Sequence, residues 1–166
     1  ISQGQNAVSI GYRAGYFSAG QSAIAIGFQA GDDEQSAYSV AIGQNAGTDG
    51  QKGECVAISI NAGMTNQATH AVAVGSGAGS GTQGQGAVAI GAFAGQSQGS
   101  ISIGYQAGFQ DQKTGAICLG YQAGQTNQGS YAIALGYFTG RNAQGDSAVA
   151  IGPSAGNTSQ GQNGIA

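Results

Sequence analysis

Few residues of this 166-residue chain have side chains that could do acid–base, nucleophilic or metal chemistry. His70 is the only histidine, and Cys55 and Cys118 are the only cysteines. The acidic run 32–34 is the one dense charge cluster, but no calcium-binding repeat pattern surrounds it, so we expect a solvated loop there and a surface position for His70. Because catalysis needs several such groups acting together, the composition predicts a protein that is not an enzyme and uses no cofactor.

The charge balance also argues against two classes of partner. Four basic residues against seven acidic ones give a net charge of −3, whereas nucleic-acid binding needs a basic surface that displaces counterions from phosphates. No apolar run approaches the roughly 18 residues of a membrane span. We therefore expect no nucleic-acid partner and no direct membrane insertion of this segment.

The elements that position these residues come from a tenfold repeat. The segment Val-Ser-Ile-Gly-Tyr-Arg-Ala-Gly at 8–15 returns as Ile-Ala-Ile-Gly-Phe-Gln-Ala-Gly at 24–31. The copies begin at Val8, Ile24, Val40, Val56, Val72, Val88, Ile101, Ile117, Ile133 and Val149. Their spacing is constant except between Val88 and Ile101, which are three positions closer because the linker 96–100 has five residues instead of eight.

A period this short predicts a β-solenoid. β-Branched residues alternating with alanine suit a strand, and the Gly-x-x-Ala-Gly that follows supplies turns, whereas helical repeats need about 33 residues. We expect one all-β repeat domain over 1–166, a parallel β-solenoid (β-roll) of about ten 16-residue coils. At about 4.8 Å per coil the rod is about 48 Å long. The turn glycines that close the motif are Gly15, Gly31, Gly47, Gly63, Gly79, Gly95, Gly108, Gly124, Gly140 and Gly156.

Both faces of each strand are apolar, which predicts self-association. In the second copy Ile24 and Ile26 point to one side and Ala23 and Ala25 to the other, and neither side carries a charge in any copy. The opposite wall of the coil covers one side, so the other forms a long apolar stripe of the kind that marks an interface. We expect packing of several chains about an axis parallel to the rod. The alternative is an alanine face small enough to tolerate water.

A glutamine column runs through the polar half of the repeat, four residues after most of the turn glycines, and Gln98 fits it approximately in the short linker. Its members are Gln3, Gln35, Gln51, Gln67, Gln83, Gln112, Gln128, Gln144 and Gln160, with Ala19 as an interruption. Stacked amides in register can hydrogen-bond to each other along a β-stack. We favour a structural ladder over a row of ligand-binding groups, and the sequence leaves open whether the amides face the coil interior or a partner.

An aromatic residue follows the first glycine of the motif in five copies. These candidate surface-binding residues are Tyr12, Phe28, Tyr105, Tyr121 and Tyr137. Aromatic side chains on a rigid scaffold can anchor proteins or sugars, but they also stack on each other between neighbouring coils and stiffen the turns. Both interpretations stay open, with stacking favoured.

The repeats resemble a known family of bacterial surface proteins. The motifs Ser-Ala-Val-Ala-Ile-Gly at 147–152 and Tyr-Ala-Ile-Ala-Leu-Gly at 131–136 are similar to the head repeats of Yersinia-type trimeric autotransporter adhesins. The resemblance implies a left-handed β-roll, a homotrimer, and attachment to a host receptor, glycan or matrix protein. The usual period of the family is shorter than that of this chain, and similar Gly-Tyr-x-Ala-Gly repeats occur in viral fibre and spike proteins. The implied location is therefore a bacterial cell surface or a virion fibre.

The two ends of the sequence and the cysteines lead to further expectations. The chain starts inside a linker and stops at the opening of an eleventh strand, so we expect uncapped ends and a longer array. The alternative function is a structural filament that grows end to end.

Cys55 and Cys118 lie four coils apart, about 19 Å, which exceeds the roughly 7 Å limit between bridged Cα atoms, so no intrachain disulfide is expected.

Overall fold

A computed structural model of the chain describes residues 2–95 and 97–166. Across these residues the chain is a stack of ten coils in which each strand pairs in parallel with its equivalent in the next coil. Residues 2–95 and 97–166 contain no helix, and hence no helix long and apolar enough to cross a membrane. The prediction of an all-β, parallel β-solenoid whose coils follow the sequence period is confirmed.

Fifteen short strands make up the described fold. In chain order they are β1 Ser2–Gln3, β2 Val8–Ile10, β3 Ser18–Ala19, β4 Ile24–Ile26, β5 Val40–Ile42, β6 Val56–Ile58, β7 Val72–Val74, β8 Val88–Ile90, β9 Ile101–Ile103, β10 Ile117–Leu119, β11 Thr126–Gln128, β12 Ile133–Leu135, β13 Asn142–Gln144, β14 Val149–Ile151 and β15 Thr158–Gln160. One ten-stranded sheet holds β2, β4–β10, β12 and β14, while β1–β3 and β11–β13–β15 form two small sheets on the other wall of the coil.

The register of the large sheet follows the sequence period. Ile24 pairs with Val40, its equivalent one period later, and this step repeats along the stack. At the short linker Val88 pairs with Ile101, three positions earlier than the regular period would give. The strands therefore stay aligned, and the segment that connects them is three residues shorter than in the other coils. Gln96, the first residue of that linker, lies outside the described residues.

The interior of the coil is narrow, and the apolar side chains buried in it are all small. The middle residue of each strand of the ten-stranded sheet points inward, and Ala25 and Ala41 are fully buried against the motif alanines Ala30 and Ala46. Among the described residues, the buried apolar side chains are all alanine or cysteine, and the largest fully buried side chains are glutamines. No valine, isoleucine or leucine of residues 2–95 and 97–166 is fully buried inside the solenoid.

Tight turns put many residues in the left-handed backbone region. Nine of the ten turn glycines have φ between 50° and 57°. Gly95 is not among these positive-φ glycines. A Cβ at Gly95 would clash with the carbonyl oxygen of Gly108, so glycine is needed there because two backbones approach closely beside the short linker.

Candidate functional site

The outer surface of the ten-stranded sheet is a continuous aliphatic face. We define this face as the first and third residues of its strands: Val8, Ile10, Ile24, Ile26, Val40, Ile42, Val56, Ile58, Val72, Val74, Val88, Ile90, Ile101, Ile103, Ile117, Leu119, Ile133, Leu135, Val149 and Ile151. The structure thereby decides which side of the strand points outward. Ile10 and Ile151 in the terminal coils are 58% and 60% exposed, and most of the others are half-buried by their neighbours above and below.

The distribution of apolar side chains is the reverse of that in an ordinary globular domain. Valine, isoleucine and leucine are the residue types most often found inside proteins, yet here they occupy the outer face while alanine fills the interior. A contiguous, uncharged face of this length exceeds the scattered apolar residues of a monomer surface. It is the surface of this molecule best suited to contact another protein chain.

The five predicted surface aromatics lie beside the aliphatic face, two residues after the end of their strands. The ring centroids of Tyr12 and Phe28 are 5.3 Å apart, those of Tyr105 and Tyr121 are 5.2 Å apart, and those of Tyr121 and Tyr137 are 5.5 Å apart. All three pairs are stacked nearly parallel. The side chains are nevertheless 41–67% exposed, so stacking and availability to a partner occur together.

The glutamine column lies mostly inside the coil. Gln35 donates to the Oε1 of Gln51 at 3.2 Å, Gln51 to Gln67 at 3.1 Å and Gln67 to Gln83 at 3.1 Å. Each amide also reaches across the interior, as Gln51 does when its Nε2 donates to the carbonyl oxygen of Val40 at 3.0 Å. These fully buried amides connect successive coils and the two walls of each coil, and they are not placed to contact a partner.

The column changes after the short linker. Gln112 accepts a hydrogen bond from Ser102 Oγ at 2.9 Å and directs its Nε2 to the sulfur of Cys118 at 3.2 Å. The pairing resumes where Gln128 donates to Gln144. The two members nearest the chain ends differ from the others, because Gln3 is exposed and Gln160 only half-buried.

Both cysteine thiols are buried inside the solenoid and unpaired. Burial raises the pKa of the Cys118 thiol to about 12, although the hydrogen bond from Gln112 opposes that shift. Burial also raises the pKa of Cys55, against the lowering effect of backbone hydrogen bonds. Neutral thiols in an alanine-lined interior act as small packing groups, not as nucleophiles.

The acidic run 32–34 is only partly the solvated loop that was predicted. Asp32 is buried, and its Oδ2 lies 2.9 Å from Nη2 of Arg13 in the preceding coil. The loop prediction is therefore wrong for Asp32, because a carboxylate that loses water needs a paired charge. Asp33 and Glu34 are exposed, and Glu34 lies 3.7 Å from Lys52.

His70 lies at the surface, beside an acidic side chain of the preceding coil. His70 Nε2 lies 3.2 Å from Glu54 Oε2, and both side chains are more than half exposed. Residues 2–95 and 97–166 contain no group of three His, Cys, Asp or Glu side chains positioned to share a metal ion.

Comparisons with protein-family models, with curated proteins and with solved structures found no match for this chain.

Proposed function

We propose that this chain is a non-enzymatic rod segment of an attachment protein or fibre. In the proposal, three copies pack through their aliphatic faces and present their turns and linkers to a host receptor, glycan or matrix protein. The observation that carries the proposal is the aliphatic face, which leaves the branched apolar residues of all ten strands on the outside.

Packing about an axis parallel to the rod would bury this face on every copy. Each chain has one such face. In an assembly with closed rotational symmetry every chain makes the same contacts, so the aliphatic face of every chain is covered. The number three, and a left-handed solenoid, rest on the resemblance of the repeats to trimeric adhesin heads. Burial of apolar surface is worth about 25 cal/mol per Å², so an interface along the whole rod would be strongly favoured.

Attachment would use the surfaces that remain outside such an assembly. Three parallel rods repeat every exposed turn three times, and multivalent presentation raises avidity without any new contact. The stacked pair Tyr105–Tyr121 is one example of a rigid, exposed anchor of this kind. An extracellular location, on a bacterial surface or a virion fibre, belongs to the same proposal.

The assembly is tested by measuring solution mass by light scattering over a range of protein concentrations. A stable species near three times the chain mass of 16.1 kDa is expected. A monomer at all concentrations would refute the proposed packing. Mass that keeps growing with concentration would instead indicate the alternative function, a structural filament.

Attachment is tested separately with the assembled species. Fluorescently labelled protein is applied to immobilised matrix proteins, glycans and host-cell surfaces, and an assembly-deficient variant with a charge in the aliphatic face provides the control. Saturable binding that weakens when the assembly is broken is expected. An assembled protein that binds none of these surfaces would contradict the attachment role.

A further inference from the structure

The short linker coincides with a groove in the side of the rod. The groove has a volume of about 320 Å³, and its lining includes Thr82 from the preceding linker, Ser97 from the short linker, and Phe109 and Asp111 from the following one. The two neighbouring full-length linkers therefore form the sides of the groove, and the shortened linker lies between them. This position ties the groove to the single shortened step in the repeat.

A second groove continues from the first along the rod. It also has a volume of about 320 Å³, and Asp111 lines both grooves. Asn127 and Asp146 from the next two linkers are among its other lining residues. We call the two together the linker furrow; each half lies at the small end of the size range of ligand sites.

The polar groups of the linker furrow have hydrogen-bonding capacity to spare. The side chains of Thr82, Asp111 and Asn127 make no hydrogen bond or ion pair with other residues in the described ranges. Lys113 differs, because its Nζ lies 3.7 Å from Oδ1 of Asp146. The furrow thus presents a hydroxyl, an amide and one uncompensated carboxylate to solvent.

Phe109 adds an apolar surface held in place by other aromatic rings. Its side chain is 38% exposed, and its ring packs edge-to-face on Phe93 with centroids 6.4 Å apart. Phe93 packs in the same way on Tyr105 at 6.5 Å, and Tyr105 belongs to the stacked tyrosine column. A ring fixed by its neighbours loses little conformational entropy when a ligand covers it.

We propose that the linker furrow binds a neutral oligosaccharide, with one sugar ring on Phe109 and the hydroxyls of successive rings on Thr82, Asp111 and Asn127. The C–H face of a sugar is apolar and suits an aromatic ring, while its hydroxyls need both acceptors and donors. This inference rests on the proposed attachment function and names the ligand class of one site on the rod.

The charge of the furrow selects against acidic sugars. Because Lys113 is already paired with Asp146, the carboxylate of Asp111 is left as the net charge near the ring of Phe109. A like charge on a uronate or sialate would be repelled there. The unmodified hydroxyls of a neutral sugar can instead donate to that carboxylate, which forms stronger hydrogen bonds than a neutral acceptor does.

A peptide fits the same surface less well. Peptides that add to a sheet need an unpaired strand edge, and on this wall β13 is paired with β11 on one side and β15 on the other. Peptide helices and proline-rich segments need a broad groove lined by apolar side chains, whereas Phe109 is the one apolar side chain among the described residues that line the furrow.

The test is a binding titration of the full chain, followed by NMR, with neutral gluco-, xylo-, galacto- and chito-oligosaccharides as probes. Phe109→Ala and Asp111→Asn are each expected to weaken binding about tenfold or more, because they remove the stacking surface and the charged acceptor. Matched controls are Phe17→Ala and Asp49→Asn, exposed residues of the same types in regular coils, which are expected to bind like the unmodified chain. A variant with three residues inserted after Ser97, which restores the regular linker length, is expected to lose binding.

Several results would overturn the proposal. The proposal is overturned if no neutral probe binds, or if only uronate oligosaccharides or peptides bind. It is also overturned if Phe109→Ala and Asp111→Asn bind the neutral probes as tightly as the unmodified chain does, or if the variant with the insertion still binds them. Solution mass is measured on the same samples. A trimer that binds no sugar refutes the furrow site and leaves the assembly intact, whereas a monomer that binds neutral sugars refutes the assembly and leaves the furrow site intact.

Discussion

Gln35 donates a hydrogen bond of 3.2 Å to Gln51 one coil further along the rod, and both side chains are buried. A primary amide carries donors and acceptors, so a glutamine repeated at each coil can satisfy the one before it and the one after it. The interior thus gains polar cross-links where a globular protein would have large apolar residues. Next to Ala19, which interrupts the column, the buried Oε1 of Gln35 has no hydrogen-bond partner among the described residues.

The first prediction concerns Ala19, which occupies the glutamine slot in the coil before Gln35. The buried Oε1 of Gln35 and Oγ of Ser9 have no hydrogen-bond partner among the described residues. Gln112 and Ser102, with the same sequence spacing as position 19 and Ser9, are hydrogen-bonded at 2.9 Å. Ala19→Gln is therefore expected to supply partners for both atoms and raise the free energy of unfolding by about 1 kcal/mol.

Denaturant unfolding followed by circular dichroism, at one fixed protein concentration, measures this gain. Ala19→Glu is the matched control, since the same shape with a buried charge is expected to destabilise the protein. An Ala19→Gln protein no more stable than the unmodified chain would show that position 19 is not a missing rung.

The second prediction concerns the middle of the ladder. Gln67 accepts from Gln51 and donates to Gln83, to Val56 O and to Ala71 O. Gln67→Leu leaves several of these buried groups unpaired, so we expect a loss of about 3 kcal/mol. Gln3→Leu at the exposed end of the column is the control, with an expected change below about 1 kcal/mol. Similar losses for both variants in thermal or urea unfolding would argue against the ladder as a source of stability.

The third prediction concerns Ser59, where the repeat has serine in place of its first glycine. Ser59 has φ of 110°, and the glycines of the same column have φ between 111° and 135°. This backbone conformation costs a residue with a Cβ about 1–3 kcal/mol. Replacing serine by glycine removes that strain, but the greater conformational entropy of glycine in the unfolded chain offsets part of the gain in stability. Ser59→Gly is expected to stabilise the protein by about 1 kcal/mol, seen as a higher unfolding midpoint.

The reverse substitution, Gly43→Ser, provides the control for Ser59→Gly. A Cβ at Gly43 would lie 2.7 Å from the carbonyl carbon of Ser59, so this variant is expected to lose stability. If Ser59→Gly lowered the midpoint, the serine side chain would have to contribute more than its backbone strain costs.

The fourth prediction concerns the pH dependence that Cys118 adds to stability. The thiol pKa rises from 9.0 to about 12 in the folded protein because burial disfavours the thiolate. The folded chain therefore keeps its proton while the unfolded chain loses it, and the contribution present below pH 9 is lost as pH rises toward 12. Relative to Cys118→Ala, the unmodified protein is expected to lose stability over this interval, as measured by urea unfolding at each pH. A constant difference between the two proteins across the interval would contradict the buried neutral thiol.

The fifth prediction concerns the aliphatic face. Ile58→Lys places a charge in the middle of that face, and the desolvation of an unpaired ammonium in an interface is strongly unfavourable. The proposed trimer is expected to dissociate, measured as a fall in solution mass. Gln21→Lys adds the same charge to an exposed linker position and is expected to leave the mass unchanged. An Ile58→Lys protein with the unmodified mass would place the interface elsewhere.

Much of the architecture could be predicted because a solenoid converts sequence period into pairing register. Val40 pairs with Val56 because they are one period apart, and even the shortened step pairs Val88 with Ile101. The pairing of Asp32 with Arg13 was missed, although Asp32 follows Arg13 by one coil plus three positions, which was a usable signal. The linker furrow was missed as well, since a shortened linker indicates a local defect without showing which side chains line it.

The sequence by itself determined the period, the strands, the turn columns and the parallel pairing, because each depends on local backbone preference repeated at a fixed spacing. The tertiary structure decided which side of the strands faces inward. Ala23 and Ala25 were as apolar as Ile24 and Ile26, so pattern alone could not choose between them. The narrow interior is filled by the small inward residues of the strands and by amides that bridge the two walls, so the larger aliphatic side chains of the described strands lie outside.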